Sequence, residues 1–227
     1  MTERTIIIAS PHTRNDLTER AVINALPLCR VVRVRGREEL AAALDQFTPE
    51  WIFFPHWSWK IPAAVFEAHK CVIFHMTDLP YGRGGSPLQN LITRGHKTTK
   101  LSAIKCVAEL DAGPIYLKWP LDLSGTAESI LERAAIAIGQ MIPVIVNQEP
   151  QPVEQSGEVV HFDRRRPEQS RVPDGLSAEQ LYDYIRMLDA DGYPPAFVEV
   201  GDLRIELRQA SLSDGQLDAK ANIRKIQ

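Results

Sequence analysis

A glycine-rich segment that follows an apolar run is the first place in this sequence where chemistry is expected. It extends from His75 to Pro87 and reads HMTDLPYGRGGSP. The glycines within residues 82–85 permit unusual backbone angles and close approach of a ligand. Ser86 and Pro87 are typical of the N-cap and first position of a helix, whose N-terminus attracts negative groups. A Walker phosphate loop is excluded because its spacing and its Lys-Ser/Thr pair are absent, and a plain strand-to-helix connection stays open as the alternative.

A second segment with reactive potential is the turn Leu110-Asp111-Ala112-Gly113. An aspartate beside a glycine is more often a turn former than a catalyst. Asp111 therefore carries weight only when it is considered together with His75.

The elements that must position these residues follow an alternating pattern. Short apolar runs alternate with stretches of helical period, the runs at 5–9, 31–34, 51–55 and 71–75 and the stretches at 38–47 and 62–69. This order predicts an α/β fold with a Rossmann-like, mostly parallel sheet flanked by helices. Ligands bind such sheets at the carboxyl ends of the strands, and His75 ends the fourth run while His56 follows the third.

The rest of the chain predicts a smaller appendage. Residues 99–123 indicate a hairpin around Gly113-Pro114, and a long helix begins at Thr126, with Pro143 expected to kink or end it. A polar segment is typical of a linker, so we predict a catalytic core at 1–147, a linker at 148–157 and a small α+β C-terminal region at 158–227.

In that C-terminal region Ser177 and Gln180 have the spacing of a helical capping box. The last dozen residues are expected to fray because they are polar.

Composition narrows the location and the partners. The net charge of −3 and the pI of about 6.1 argue against bulk nucleic-acid binding. The three cysteines form no CxxC pair and are expected to be buried thiols in a reducing compartment. No signal-peptide pattern opens the chain, and the apolar window 130–146 is expected to be too short and polar to span a membrane. We therefore expect a cytoplasmic protein without a membrane partner.

Taken together, the two segments resemble the N10-formyltetrahydrofolate-dependent formyltransferases, which share a methionyl-tRNA formyltransferase-like core. In that family a strand ends in Asn-x-His, a Leu-Pro and Arg-Gly loop follows, and an Asp-x-Gly turn comes later. The matching residues here are His75, Leu79-Pro80, Arg83-Gly84, Pro87, Gln89 and Asp111-Ala112-Gly113. One position departs from the pattern, because Ile73 stands where the family has its catalytic Asn.

The resemblance implies that an amine attacks the formyl carbon while charge gathers on the formyl oxygen. His75 is then a donor and proton-transfer group, and Asp111 orients the imidazole and helps to remove the proton from the amine. Ile73 cannot donate to the oxygen, so we weigh His56 as a substitute donor against an ordinary strand-end residue. Thr77 and backbone N–H groups near Gly84 are further candidates.

The resemblance also implies a formyltetrahydrofolate site and no metal site. The residues assigned to the cofactor are Ile61, Pro62, Leu79, Pro80, Arg83, Gly84, Val107, Leu110 and Gly113. The apolar members of this set are equally compatible with an ordinary core.

The acceptor is expected to be a small amine. Arg165-Arg166-Pro167-Glu168 and the short tail are similar to sugar N-formyltransferases, which implies a nucleotide-linked amino sugar held by Arg164 and Arg165, with Thr77 and Gln89 also at the substrate. The arginine run is also compatible with a solvated turn or with the interface of a homodimer. A tRNA acceptor is disfavoured because the tail is short and the chain acidic.

Three alternatives to the amino-sugar function stay open. They are a formyltetrahydrofolate hydrolase, a formyltransferase acting on another amine, and a catalytically weak folate-binding family member.

Overall fold

The computed structural model describes residues 4–226. Within that range the chain forms eleven strands and six α-helices. The strands β1 to β11 are Arg4–Ala9, Cys29–Val34, Trp51–Pro55, Lys70–His75, Tyr81–Gly84, Thr98–Lys105, Ile115–Asp122, Val160–Phe162, Ala196–Val200, Leu203–Ser213 and Gln216–Lys225. The helices α1 to α6 are Asp16–Ala25, Arg37–Gln46, Ala63–Ala68, Pro87–Thr93, Ala127–Gln148 and Ala178–Arg186, and short 3-10 helices cover Thr13–Asn15 and Pro167–Ser170. The outermost residues of the predicted domains, 1–3 and 227, lie outside this range.

The main sheet has six strands in the order β2-β1-β3-β4-β6-β7. The first four strands are parallel, whereas β6 runs antiparallel to β4. This arrangement confirms the predicted Rossmann-like, mostly parallel sheet. The central strand β3 is apolar because its side chains are buried on both faces of the sheet.

Helices α2 and α3 cover part of this sheet through an apolar cluster. The cluster joins Ile7, Ile52 and Phe54 of the strands to Leu40 and Ala43 of α2, and α3 contributes partly buried side chains. Burying one such aliphatic or aromatic side chain stabilises a fold by about 1.5–3 kcal/mol. The packing therefore fixes the strands whose carboxyl ends carry His56 and His75.

Helix α5 continues past Pro143 to Gln148, so of the two effects expected of this proline, a kink or an end, the end is not observed. A proline removes one helical hydrogen bond, but Ile142 and Ile145 on either side are fully buried and keep the helix in place. Gly139 lies one turn earlier, where a Cβ would stand only 2.9 Å from that of Ala21, so α5 approaches α1 closely.

By length and composition α5 is apolar enough to cross a membrane, contrary to the expectation for residues 130–146. However, 56% of its most apolar window is buried inside the protein. Residues such as Ile130, Ile138 and Ile142 have no exposed surface. We therefore interpret α5 as a core helix, and the cytoplasmic location stays a prediction.

The chain divides into two compact units that interleave along the sequence. The first comprises the described residues up to 83 together with 99–121 and 132–161, and the second comprises 84–98, 122–131 and 162 onward. The sequence instead predicts consecutive domains, because chain order does not reveal which segments return to a unit in space. That residues 1–147 act as a catalytic core stays a prediction.

The predicted linker 148–157 packs against the first unit. Val153 and Ile115 exchange backbone hydrogen bonds of 2.9 Å and 2.7 Å, and Gln155 donates to the turn around Asp111. Most side chains of the segment are exposed, but these hydrogen bonds hold it as an ordered strap on this unit.

The second unit contains α6 and the antiparallel sheet β9-β10-β11. The predicted capping box is confirmed, since Gln180 N donates to Ser177 Oγ at 3.2 Å and Ser177 N donates to Gln180 Oε1 at 2.9 Å. The expected fraying of the last dozen residues is wrong, because residues 216–225 form β11 and pair with β10. Polar side chains suit β11 because it lies at the edge of its sheet.

The environments of the cysteines lead to a testable prediction. Burial raises the pKa of Cys71 to about 12 and that of Cys106 to about 11, whereas Cys29 is partly exposed. Thiol reagents react with the thiolate, which is the nucleophile. We therefore expect Ellman's reagent to modify only Cys29 in the native protein and all three cysteines in guanidinium. Rapid modification of Cys71 or Cys106 in the native protein would contradict these positions.

Candidate active site

The carboxyl edge of the parallel sheet brings two predicted histidines to neighbouring strand ends. Pro55 of β3 lies opposite Phe74 of β4, so His56 and His75 are the next residues of the two parallel strands. His56 has a φ of 52°, which turns the chain away at this point. The expectation that both histidines reach the same edge of the sheet agrees with this register.

His75 is buried and held from two sides. Its Nε2 donates to the backbone carbonyl of Gly82 at 2.7 Å. Its Nδ1 lies 3.5 Å from Oδ2 of Asp111, and the two side chains are only 8% and 7% exposed. The structure thus brings His75 and Asp111 close together, as the sequence predicts, although they lie 36 positions apart in the chain.

The turn that carries Asp111 is pressed closely onto the end of β6. Asp111 has a φ of 52°, a strained backbone angle for a residue other than glycine. A Cβ on Gly113 would stand 1.8 Å from the carbonyl oxygen of Lys105, so only glycine fits there. Lys105 N also donates to Pro114 O at 2.8 Å. Gly113 therefore has a structural reason to be glycine, whether or not it contacts a cofactor.

A residue that sequence reasoning missed, Gln155, ties this turn to the loop after β4. Its Nε2 donates to the carbonyls of Asp111 at 2.7 Å and Gly113 at 2.9 Å. Its Oε1 accepts from Nε and Nη2 of Arg83 at 3.1 Å and 2.9 Å. No motif marks Gln155, because its partners on the turn are backbone carbonyls, which any residue supplies.

His56 has an oriented imidazole. Asn15 Nδ2 lies 3.3 Å from His56 Nδ1 and 2.9 Å from Ser10 Oγ, while Thr18 donates to Asn15 Oδ1. Because Asn15 donates its amide hydrogen, Nδ1 of His56 acts as an acceptor and the ring proton lies on Nε2. The Nε2 atom itself is buried.

The loop after β4 is anchored underneath by polar contacts. Thr77 is fully buried, and its hydroxyl donates to Gly82 O at 3.4 Å. Lys118 donates to Asp78 and to the carbonyl of Leu79, both at 2.5 Å. Burial raises the pKa of Asp78, but hydrogen bonds from Lys118 and Lys100 outweigh it and hold that pKa below its usual value.

The fixed position of this loop bears on the predicted cofactor residues Leu79 and Pro80 and on the predicted substrate residue Thr77. The Leu79-Pro80 peptide is cis and Leu79 is completely buried. The buried Thr77 is a supporting residue of the loop in this conformation, so its predicted substrate contact stays a prediction.

The apolar residues predicted for the cofactor differ in exposure. Ile61 belongs to the buried core cluster, Pro62 is exposed and Val107 is partly buried. Leu110 is 69% exposed and Trp59 37%. Leu110 and Trp59 therefore offer apolar surface that a flat ring system of a ligand can cover, whereas Ile61 contributes to packing.

Ile73, at the position of the family's Asn, is packed among hydrophobic side chains. It is partly buried against the cluster that contains Phe54, its cross-strand partner. The Ile73 side chain therefore provides no hydrogen-bond donor for a substrate.

Four predicted site residues lie in the second unit or at its start. A Cβ on Gly84 would stand 2.4 Å from the carbonyl oxygen of Phe162, so packing alone requires glycine there, and its cofactor contact stays a prediction. Gln89 is buried and donates to Met187 O at 3.4 Å. Arg165 donates to Gln169 O and, at 3.1 Å, to the hydroxyl of Tyr184.

Ser86 occupies the predicted N-cap position of α4 but does not cap the helix. Its φ of 48° is left-handed, and its hydroxyl accepts from Arg165 N at 3.0 Å. Arg164 and Arg166 are exposed and line an open cleft of about 1010 Å³ with residues 167–169 and Asp163. Exposed guanidinium groups of this kind can hold a diphosphate through paired hydrogen bonds.

Among residues 4–226 no group of three or more His, Cys, Asp or Glu side chains is placed to hold a metal ion.

Comparison with known proteins places this geometry in a family. The family model described as "Methionyl-tRNA formyltransferase, C-terminal domain" matches residues 167–224. A methionyl-tRNA formyltransferase of Bacillus thuringiensis (strain Al Hakam) is 25% identical over 175 residues, covering 73% of this chain and 55% of the relative. The chain thus spans about half the length of the curated relatives it matches.

Two solved structures complete the comparison. A sugar N-formyltransferase from Shewanella sp FDAARGOS_354 shares the fold, with a TM-score of 0.72 at 12% identity over 93% of this chain and 99% of that one. The methionyl-tRNA formyltransferase from Clostridium thermocellum is 45% identical over 98% of this chain and 99% of its own, with a TM-score of 0.93. With this similarity over nearly the whole of both chains, the protein belongs to the formyltransferase family, as its His75 and Asp111 segments indicate.

Proposed function

We propose that this protein transfers a formyl group from N10-formyltetrahydrofolate to the amine of a small acceptor, a nucleotide-linked amino sugar. The observation that carries the proposal is the buried contact between His75 and Asp111, with Nδ1 and Oδ2 3.5 Å apart, in a chain of the formyltransferase family. N10-formyltetrahydrofolate supplies the formyl carbon, and the protein must orient the reactants and move one proton.

The proposed reaction forms a C–N bond between the acceptor amine and the formyl carbon and breaks the bond between that carbon and N10. The amine loses a proton and N10 gains one, so the products are a formamide and tetrahydrofolate. Asp111 accepts the proton from the amine, directly or through the His75 ring, and the pair returns it to N10. For Nε2 of His75 to reach the reacting oxygen, its hydrogen bond to Gly82 must be exchanged for one to the substrate.

The donor that Ile73 cannot supply is assigned to His56. The register of β3 and β4 supports this assignment, because His56 and His75 are the residues that follow the paired Pro55 and Phe74. The hydrogen bond from Asn15 also supports it, because it keeps the ring proton on Nε2. Since Nε2 is buried in this conformation, the ring must turn toward the acceptor site when substrate binds.

The charges of the C-terminal region favour a small acceptor over a polynucleotide. Acidic side chains outnumber basic ones in residues 158–226, and several of the basic ones form ion pairs. These pairs are Arg186–Asp183, Arg204–Glu199, Arg208–Asp189, Arg224–Glu206 and Lys225–Asp202. A polyanion needs many phosphate contacts, whereas one diphosphate needs only two or three arginines such as Arg164 and Arg166.

A second candidate acceptor is methionyl-tRNA. It is favoured by the names of the Bacillus and Clostridium relatives and by the family model that matches residues 167–224. The formyl donor and the catalytic pair are the same in both proposals, so only the acceptor distinguishes them. Association with a second copy of the chain stays a prediction.

We predict that His75→Ala and Asp111→Asn each lower the rate of formyl transfer by about 100- to 10,000-fold, because each removes a proton-transfer group. The measurement is the rate of tetrahydrofolate formation with N10-formyltetrahydrofolate and a panel of UDP-, dTDP- and GDP-linked hexoses carrying an amine at C3 or C4.

Matched controls are His69→Ala, at the opposite end of β4, and Asp45→Asn, on the exposed side of α2. Both should keep native rates. Full activity of His75→Ala would refute the assigned role, and formate release without any amine would favour the hydrolase. Binding of N10-formyltetrahydrofolate without turnover would favour a catalytically weak member.

The acceptor is decided by a direct comparison. We expect a nucleotide-linked amino sugar to be formylated with only a weak dependence on salt, and Arg164→Ala to raise its KM about tenfold or more through loss of a charged hydrogen bond. Methionyl-tRNA as the better acceptor, with a rate that falls steeply between 50 and 200 mM salt, would overturn the amino-sugar proposal and leave the formyl-transfer proposal standing.

The donor assignment is tested at the two strand ends. His56→Ala should lower kcat roughly hundredfold, as loss of one oxyanion donor does, and adding Ile73→Asn should restore part of that loss. An unchanged kcat in His56→Ala, with native folding by circular dichroism, would remove His56 from the mechanism.

A further inference from the structure

We infer that Gln155 is a positioning residue that sets the distance between Asp111 and His75. The inference rests on the proposed function, in which these two side chains move the proton. Gln155 lies in the segment 148–157, whose sequence predicts a linker, and nothing in that sequence marks it for a role in catalysis.

The side chain of Gln155 forms two hydrogen bonds with the turn. Its Nε2 has two hydrogens, and both are used, because it donates to the carbonyls of Asp111 at 2.7 Å and Gly113 at 2.9 Å. Asp111 is held with a left-handed backbone, a strained conformation that persists only where the surroundings enforce it. The two bonds from Gln155 hold this turn in addition to the close contact of Gly113 with Lys105.

Arg83 fixes the orientation of the Gln155 amide. Its Nε and Nη2 both lie within 3.1 Å of Oε1. A guanidinium only donates, so the atom facing Arg83 must be the amide oxygen and the nitrogen must face the turn. The direction of the amide thus follows from chemistry.

These contacts close a ring around the imidazole. His75 Nε2 donates to Gly82 O, and the next residue in the chain is Arg83, which holds Gln155. Gln155 in turn holds the backbone of Asp111, whose carboxylate faces His75 Nδ1. One amide therefore couples the loop on one side of the imidazole to the turn on the other, beside the ion pair of Arg83 Nη1 with Glu109 Oε1 at 3.2 Å, so its loss weakens the connection between them.

The backbone of the segment is held independently of this side chain. Val153 and Ile115 exchange two backbone hydrogen bonds two residues earlier. Substitutions at Gln155 should therefore leave the segment in place and the protein folded, which separates a positioning role from a merely structural one.

Gln155→Glu removes the two hydrogen bonds to the turn and keeps those from Arg83. A carboxylate has nearly the same shape and still accepts from Arg83, but it cannot donate to the two carbonyls and repels them. The matched control is Gln151→Glu, which makes the same change at an exposed position four residues earlier.

The experiment measures kcat and KM for the formyl donor and for the amino sugar identified by the acceptor panel, together with the melting temperature. A misplacement of about 1 Å can cost about 100-fold in rate, so we expect Gln155→Glu to lower kcat by roughly 10- to 100-fold. Both KM values should change less than about threefold, and Gln151→Glu should match the native protein. A native kcat in Gln155→Glu would overturn the inference, and so would a lower kcat accompanied by a KM raised more than about threefold and a lower melting temperature.

A second measurement does not depend on turnover. The ring signals of His75 in an NMR spectrum, assigned with His75→Ala, should shift in Gln155→Glu and stay unchanged in Gln151→Glu. If the native protein transfers no formyl group, the proposed function fails, but a shifted His75 signal still supports the positioning role. An unshifted signal in Gln155→Glu overturns it whatever the activity.

Discussion

A buried imidazole held between a backbone carbonyl and a carboxylate is the constraint on which the rest of the first unit depends. His75 can be held there only if β4 ends where it does, the loop returns its Gly82 carbonyl, and the turn of Asp111 comes close. The pairing of β4 with parallel β3 and antiparallel β6 sets the first condition, the buried loop residues set the second, and the close contact of Gly113 with β6 sets the third. Much of the packing in this unit therefore supports the imidazole ring of His75.

The parts that could be predicted from the sequence are those in which the side chains themselves carry the signal. Apolar runs and helical periods predicted the parallel sheet, and the order of His75, Arg83 and Asp111 predicted the family. Gln155 could not be predicted in this way, because its bonds to the turn end on backbone carbonyls and its neighbours are polar. The edge strand β11 was missed for a related reason, since its backbone pairs while its side chains face solvent.

Local rules failed where a more distant contact was stronger. Ser86 has the residue type of an N-cap, yet its hydroxyl accepts from Arg165 and its backbone is left-handed. Pro143 has the residue type of a helix end, yet buried neighbours carry α5 past it. In each case residues far apart in the chain compete for a group that local sequence assigns elsewhere.

The strap formed by residues 148–157 also limits how this protein can exchange parts with its relatives. Gln155 belongs to the same hydrogen-bonded ring as Arg83 and Asp111, although it follows helix α5 in the chain. A recombination point placed at residue 147 would pair one parent's turn with the other parent's strap. Chimeras, natural or engineered, should therefore keep the strap and the turn of Asp111 from the same parent.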